Sequence, residues 1–167
     1  MSAIIIPKVS SERRDYVPLG FIDDSTIVTD LAFIIPSATR YHFGVLTSRL
    51  HMAWMRAVAG RLEMRYRYSK DIVYNNFVWP DLDGAAPLGE KIDAAAQDVL
   101  DVREQYLAAD ERCSLATLYD PLTMPSDLVK AHAHLDALVD KAYGLKPSAT
   151  DAERVACLFK LYAEMTA

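Results

Sequence analysis

The sequence predicts an α+β fold: a small strand-rich module with one amphipathic helix, followed by an antiparallel helical module. Three observations carry that expectation. Up to residue 80 the apolar residues mostly alternate as in strands, apart from one helical stripe, whereas beyond it they recur at three- and four-residue spacing. Charge divides at the same place. Residues 1–80 hold ten Lys+Arg against seven Asp+Glu, a net +3, and residues 81–167 hold eight against sixteen, a net −8. Between them Pro80-Asp-Leu-Asp-Gly-Ala-Ala-Pro87 collects turn formers with no periodic pattern, so the division is drawn as 1–80 and 81–167.

Taken in order, Ala3–Lys8 and Tyr16–Ile22 are rich in Ile, Val, Tyr and Phe and read as strands, with Pro7 and Pro18 at strand ends or edges. Between them, Ser10-Ser-Glu-Arg-Arg-Asp15 offers hydroxyls, backbone amides and two arginines. That composition suits a phosphate-holding loop through Ser10, Ser11, Arg13 and Arg14, and equally a solvated turn with an Arg–Asp pair. Asp23-Asp24-Ser25 marks a turn before strands at Thr26–Thr29 and Leu31–Ile35. With Asp30 these carboxylates lack the spacing of a calcium loop. Pro36-Ser-Ala-Thr39 ends the strand and can cap a helix. From Phe43 to Ala59, Leu46, Leu50, Ala53, Trp54 and Ala57 form one helical stripe, and Gly60 stands where a helix commonly ends.

The stretch that follows carries the most chemistry. Arg61, Glu63, Arg65, Arg67 and Ser69 alternate with Leu62, Met64, Tyr66 and Tyr68, the pattern of a strand with one charged and one apolar face. Guanidinium groups so spaced can read guanine edges or hold phosphates, and a carboxylate among them can accept from cytosine. Glu63, Arg65 and Arg67 are the candidate base readers, at a spacing of roughly 13–14 Å along an extended strand. Arg61, Ser69 and Lys70 are candidate phosphate contacts. The alternation also describes an ordinary half-buried strand whose outer charges pair with each other.

In the second half, Leu88–Ala109 is a long helix with Ile92, Ala95, Ala96, Val99, Leu100 and Val102 on or near one face, and Ser114–Tyr119 a short one stopped by Asp120-Pro121. Ser126 or Asp127 caps a helix to Tyr143, followed by Gly144. Thr150 with Glu153 makes a capping box for a final helix whose buried face is Val155, Leu158, Phe159 and Tyr162. His132 and His134 face apart on one helix, and His51 has no partner at ligand spacing, so no histidine metal site is expected. Cys113 and Cys157 likewise lack ligand spacing, which suits buried, reduced thiols and a cytoplasmic setting. No apolar run approaches membrane-spanning length.

Several separated blocks resemble one family. Tyr74-Asn-Asn-Phe-Val-Trp-Pro80 after Tyr66-Arg-Tyr-Ser69 is similar to the end of the target-recognition domain of MmeI-like (type IIL) restriction–modification enzymes. The resemblance takes in Val9-Ser-Ser-Glu-Arg-Arg14, Pro18-Leu-Gly-Phe21 and Phe43-Gly-Val-Leu-Thr-Ser-Arg-Leu-His-Met-Ala-Trp54, and reaches Leu118-Tyr-Asp-Pro-Leu-Thr-Met-Pro125. Where the family commonly has proline before this tryptophan, the chain has Val78. The resemblance implies that residues 1–80 are the C-terminal part of a DNA target-recognition domain and 81–167 a helical C-terminal domain. It adds Ser48 and Arg49 as phosphate contacts. It also implies a parent enzyme that methylates adenine and cuts double-stranded DNA, using S-adenosylmethionine and Mg2+. In residues 1–167 Tyr74-Asn-Asn-Phe77 lacks the prolines of an adenine-methyltransferase motif, and no glycine-rich cofactor loop precedes it. The chain is therefore expected to be non-catalytic, to use no cofactor of its own, and to partner DNA and the parent's methyltransferase domain. The competing expectation is a stand-alone interaction module whose acidic helices bind a protein; the reading frame upstream discriminates the two.

Overall fold

A computed structural model describes residues 3–167. β1 (Ala3–Pro7) is the centre of a three-stranded antiparallel sheet, flanked by β3 (Gly20–Ile22) and β4 (Ala32–Pro36). The register sets Ile4 against Phe21 on one side and Ile35 on the other, and Ile4 and Ile6 turn into the core. A second antiparallel sheet orders β2 (Val9–Ser10), β6 (Arg65–Arg67) and β5 (Gly60–Leu62). Lys8 joins the two sheets: its N–H donates to the Leu31 carbonyl and its own carbonyl accepts from Tyr68, at 2.9 and 2.8 Å.

Six α-helices follow among the described residues: α1 (Arg40–Thr47), α2 (Arg49–Val58), α3 (Ala86–Ala109), α4 (Leu115–Leu118), α5 (Ser126–Ala142) and α6 (Asp151–Thr166). Helices from the two halves of the sequence interleave. α1 packs on α3, α3 on α5 and α2 on α6. Gly44 makes the first of these crossings close, since a Cβ there would stand 3.1 Å from both Ala96 Cβ and Ile92 Cγ2. The core therefore runs without interruption from Ile4 through Phe43, Leu46 and Leu50 to Ile92, Leu135 and Leu158. Tyr143 adds a tie by donating its hydroxyl to the Val78 carbonyl at 2.7 Å.

Several expectations need correction, each with a local cause. The helix expected from Phe43 to Ala59 is two helices, because Ser48 adopts an extended ψ of 156°. Its hydroxyl donates to the Val45 carbonyl (2.7 Å) and accepts the His51 N–H (3.3 Å), closing α1 and opening α2. α2 ends at Ala59 in an extended conformation, and Gly60 begins β5 instead of terminating a helix. Tyr16–Ile22 is a strand only from Gly20, because Pro18 sits in a tight turn in which Leu19 N–H bonds the Val17 carbonyl. Thr26–Thr29 is not a strand; the Asp23 carboxylate holds Ser25 and Thr26 in a turn, and Ile27 projects into solvent. On α6, Leu158 is buried and Val155 half-buried, but Phe159 and Tyr162 are exposed. Arg154 takes the buried place, with a two-pronged contact to buried Asp140 at 2.9 and 2.7 Å. Both cysteines are free and half-buried rather than buried. The capping box at Thr150 and Glu153 forms as the sequence predicts. Among the described residues, no helix is long and apolar enough to cross a membrane.

Candidate nucleic-acid interface

The stretch expected to be one strand, Arg61–Ser69, is a hairpin. β5 and β6 are joined by the two-residue turn Glu63-Met64, with Glu63 at φ +56°. That is the first turn position, where a positive φ ordinarily favours glycine. A two-residue turn pairs Arg61 with Tyr66 and Leu62 with Arg65, so odd positions before the turn share a face with even positions after it. The single charged face therefore does not exist. Arg61 lies on the opposite face from Arg65 and Arg67, with its guanidinium 3.9 Å from the centroid of the Tyr66 ring. Glu63 stands in the turn and accepts from Arg65 Nη2 at 3.0 Å, which makes Arg65 and Arg67 the pair that shares a strand face.

Behind this hairpin the packing is firm. Tyr66 is buried opposite Ser10, while Tyr68 bonds His51 Nε2 through its hydroxyl at 2.8 Å. Lys70–Tyr74 forms a π-helical turn, and the indole of Trp54 donates to the Val73 carbonyl at 2.9 Å. The Tyr74-Asn-Asn-Phe77 block closes that turn. Asn76 donates to the Asp71 and Ile72 carbonyls, and Phe77 packs edge-on against His51 and Trp79. Burial of the His51 imidazole pushes its pKa down to about 3, so it is neutral, and it serves as a core residue.

The remaining candidates fall into three places. Ser69 and Lys70 continue from β6 and line a groove with Lys8, Phe33 and Arg67; the Lys8 ammonium lies 5.0 Å from the Phe33 ring centroid. No motif in the sequence singles out Lys8, whose one signal is a cation directly after Pro7. In the loop after β2, Arg13 is exposed, the Ser11 hydroxyl accepts the Arg13 N–H, and Arg14 is half-buried. Ser10 is buried where β2 pairs with Tyr66, and its hydroxyl has no hydrogen-bond partner, which removes it from the exposed candidates.

Ser48 and Arg49 stand at the start of α2, where Arg49 lines a pocket with Glu12 and Asp15 of the loop after β2. Ser48 is fully buried and its hydroxyl is committed to the two caps, which corrects the expectation of a phosphate contact. Arg49 donates its backbone N–H to Asp136 (2.8 Å) and its Nε to Asp151 (3.0 Å). Arg56 bonds the Arg14 and Asp15 carbonyls and lies 3.7 Å from Asp151. These cations already have protein partners. Among the described residues, the side chains of Arg13 and Arg67 form no such bond, and both are exposed. No three His, Cys, Asp or Glu side chains converge there or elsewhere among the described residues in a metal-holding arrangement.

Comparison with known proteins matches both halves. A family model described as the MmeI target recognition domain covers residues 1–81, and one described as the MmeI C-terminal domain covers 88–167. DNA methyltransferase A of Bacillus subtilis (strain 168) is 43% identical over 164 residues, 98% of this chain and 18% of that protein. A solved structure of the type IIL restriction–modification enzyme MmeI in complex with DNA superimposes with a TM-score of 0.89 at 43% identity. It covers 99% of this chain and 21% of the other. The chain thus spans about a fifth of the length of these relatives.

Proposed function

Because this chain belongs to the MmeI family, with both its target-recognition and C-terminal parts represented, we propose that it is the sequence-reading portion of a restriction–modification adenine methyltransferase. The observation that carries the reading is the β5–β6 hairpin. It presents Arg65 and Arg67 on one exposed face, in a chain that superimposes over nearly its whole length on part of a DNA-bound enzyme. Two residues along a strand are roughly 7 Å apart, about two base-pair steps, and each guanidinium can take guanine O6 and N7 together. Glu63, bonded to Arg65, orients that guanidinium and leaves Arg67 unrestrained.

Phosphate contacts are assigned to exposed Arg13 and Lys70 and to half-buried Ser11 and, newly, Lys8, with Ser69 and Arg14 at the margins. Arg61 extends this set from the opposite face of the hairpin. Ser48 and Arg49 instead hold the scaffold on which the hairpin stands, and Ser10 is buried within it. Methyl transfer and cleavage belong to the parent enzyme's other parts, which would supply S-adenosylmethionine and Mg2+. The donor groups of this chain fit neither: it has no glycine-rich cofactor loop and, among the described residues, no converging ligand set. The methyltransferase domain of the same parent chain is the proposed protein partner.

Methylation-site sequencing in cells expressing the full-length enzyme tests the reading. The double variant Glu63→Lys with Arg65→Asp is expected to methylate a site altered at one position, at a cost of about 1–3 kcal/mol on the original base pair. An active double variant with an unchanged site would place base reading elsewhere.

A further inference from the structure

The face that carries Arg65 and Arg67 is not uniformly cationic. On β5 Leu62 stands across from Arg65 and Gly60 across from Arg67, and on the other side half-buried Val9 of β2 pairs with Arg67. Leu62 is 45% exposed, although nothing in the hairpin's own packing requires an apolar group there. Isolated exposed leucines are common on protein surfaces. This one is singled out by register: directly paired residues on one sheet face hold their Cβ atoms about 5 Å apart, so whatever Arg65 reaches lies beside Leu62.

We infer that Leu62 is a base-reading residue that contacts the 5-methyl group of a thymine next to the base read by Arg65. The inference rests on the reading of the hairpin as the base-contacting element. Its chemistry follows from relative reach. An arginine extends several atoms beyond its Cβ and meets O6 and N7 at the guanine edge, whereas a leucine ends two atoms beyond. The thymine methyl projects from its base edge into the major groove, where a short apolar side chain meets it and no hydrogen bond is needed. Gly60 leaves the corresponding place beside Arg67 open: a Cβ added there would meet nothing within 4 Å. Leu62 is therefore the exposed apolar reader beside Arg65, whereas Arg67 has no side chain beside it from β5 and only half-buried Val9 from β2.

The test is equilibrium binding of the full-length enzyme, at fixed salt, to duplexes in which each thymine of its site is replaced singly by deoxyuridine. One replacement is expected to weaken wild-type binding about fourfold, the factor that corresponds to one buried methyl group. Leu62→Ala should bind the thymine and deoxyuridine duplexes equally. A wild-type enzyme indifferent to every replacement, a site that contains no thymine, or discrimination retained in Leu62→Ala would each overturn the inference. Arg65→Ala separates the two ways of failing. If Arg65→Ala changes base preference while Leu62→Ala leaves uracil discrimination intact, only the role of Leu62 falls. If Arg65→Ala leaves every base preference unchanged, the hairpin reading falls with it.

Discussion

His51 and His132 are the two imidazoles that folding holds neutral. His132 stacks on Tyr16 at 4.1 Å between centroids and shares a 2.8 Å hydrogen bond with the Tyr119 hydroxyl. Burial pushes both imidazoles from 6.5 down to about 3. Their stabilising contribution is complete above pH 6.5 and is lost as pH falls from there towards 3, by about 1.4 kcal/mol per pH unit for each. Asp136 acts in the opposite direction. Burial raises it from 3.8 to about 6, so its contribution is complete below 3.8 and lost as pH rises through 6. Two histidines outweigh one carboxylate, and stability is expected to fall between pH 6.5 and 4. Urea unfolding across that range should show it, with a shallower slope in His132→Asn by about one proton; an identical slope would mean that His132 titrates normally. Ser48 offers a second test at this scale. Losing its caps in Ser48→Ala should cost about 1–2 kcal/mol in urea unfolding, with no change in the salt dependence of DNA binding by the full-length enzyme. A reduced salt slope would restore the phosphate role.

Among the elements, the hairpin is where sequence pattern and structure part company. Alternation from Arg61 to Ser69 is the signature of one strand, and no Asn-Gly or Asp-Gly interrupts it to announce a turn. The chain nevertheless reverses at Glu63-Met64, with Glu63 in a conformation that side chains seldom adopt, and the reversal exchanges the faces. The Ser48 break was equally hard to read, because the apolar stripe continues through it and only the cap geometry separates the helices. Elements with strong local signals came through: Thr39 capping α1, the Thr150–Glu153 box, and the long stripe of α3. Gly44 passed as an ordinary helical residue, although it sets how closely α1 approaches α3. Gly44→Val should force those helices apart and destabilise by about 1–3 kcal/mol. A variant with an unchanged urea midpoint would show that the crossing has slack.

Across the whole molecule, the charge split near residue 80 is a division of surface and not of core. α1 and α2, from the basic half, are packed among α3, α5 and α6 of the acidic half. Arg49 and Arg154 meet at Asp151, and Arg154 continues to Asp140. The helical half thereby acts as the rigid backing for a thin two-sheet layer whose outer edge is the hairpin. That arrangement accounts for the family blocks: Phe43–Trp54 and Tyr74–Pro80 build the backing, and the charged residues of Arg61–Lys70 face outward from it. Sequence pattern located the outward stretch but assigned its faces wrongly, because register depends on a turn that leaves no compositional mark. The central claim is that this edge enters the major groove. A crystal structure of the full-length enzyme on its own DNA site tests it most directly. The account predicts the Arg65 and Arg67 guanidinium groups about 2.7–3.2 Å from base-edge acceptors, with Arg13 and Lys70 beside phosphates. A complex with the β5–β6 hairpin in solvent, or touching only the phosphate backbone, would contradict it.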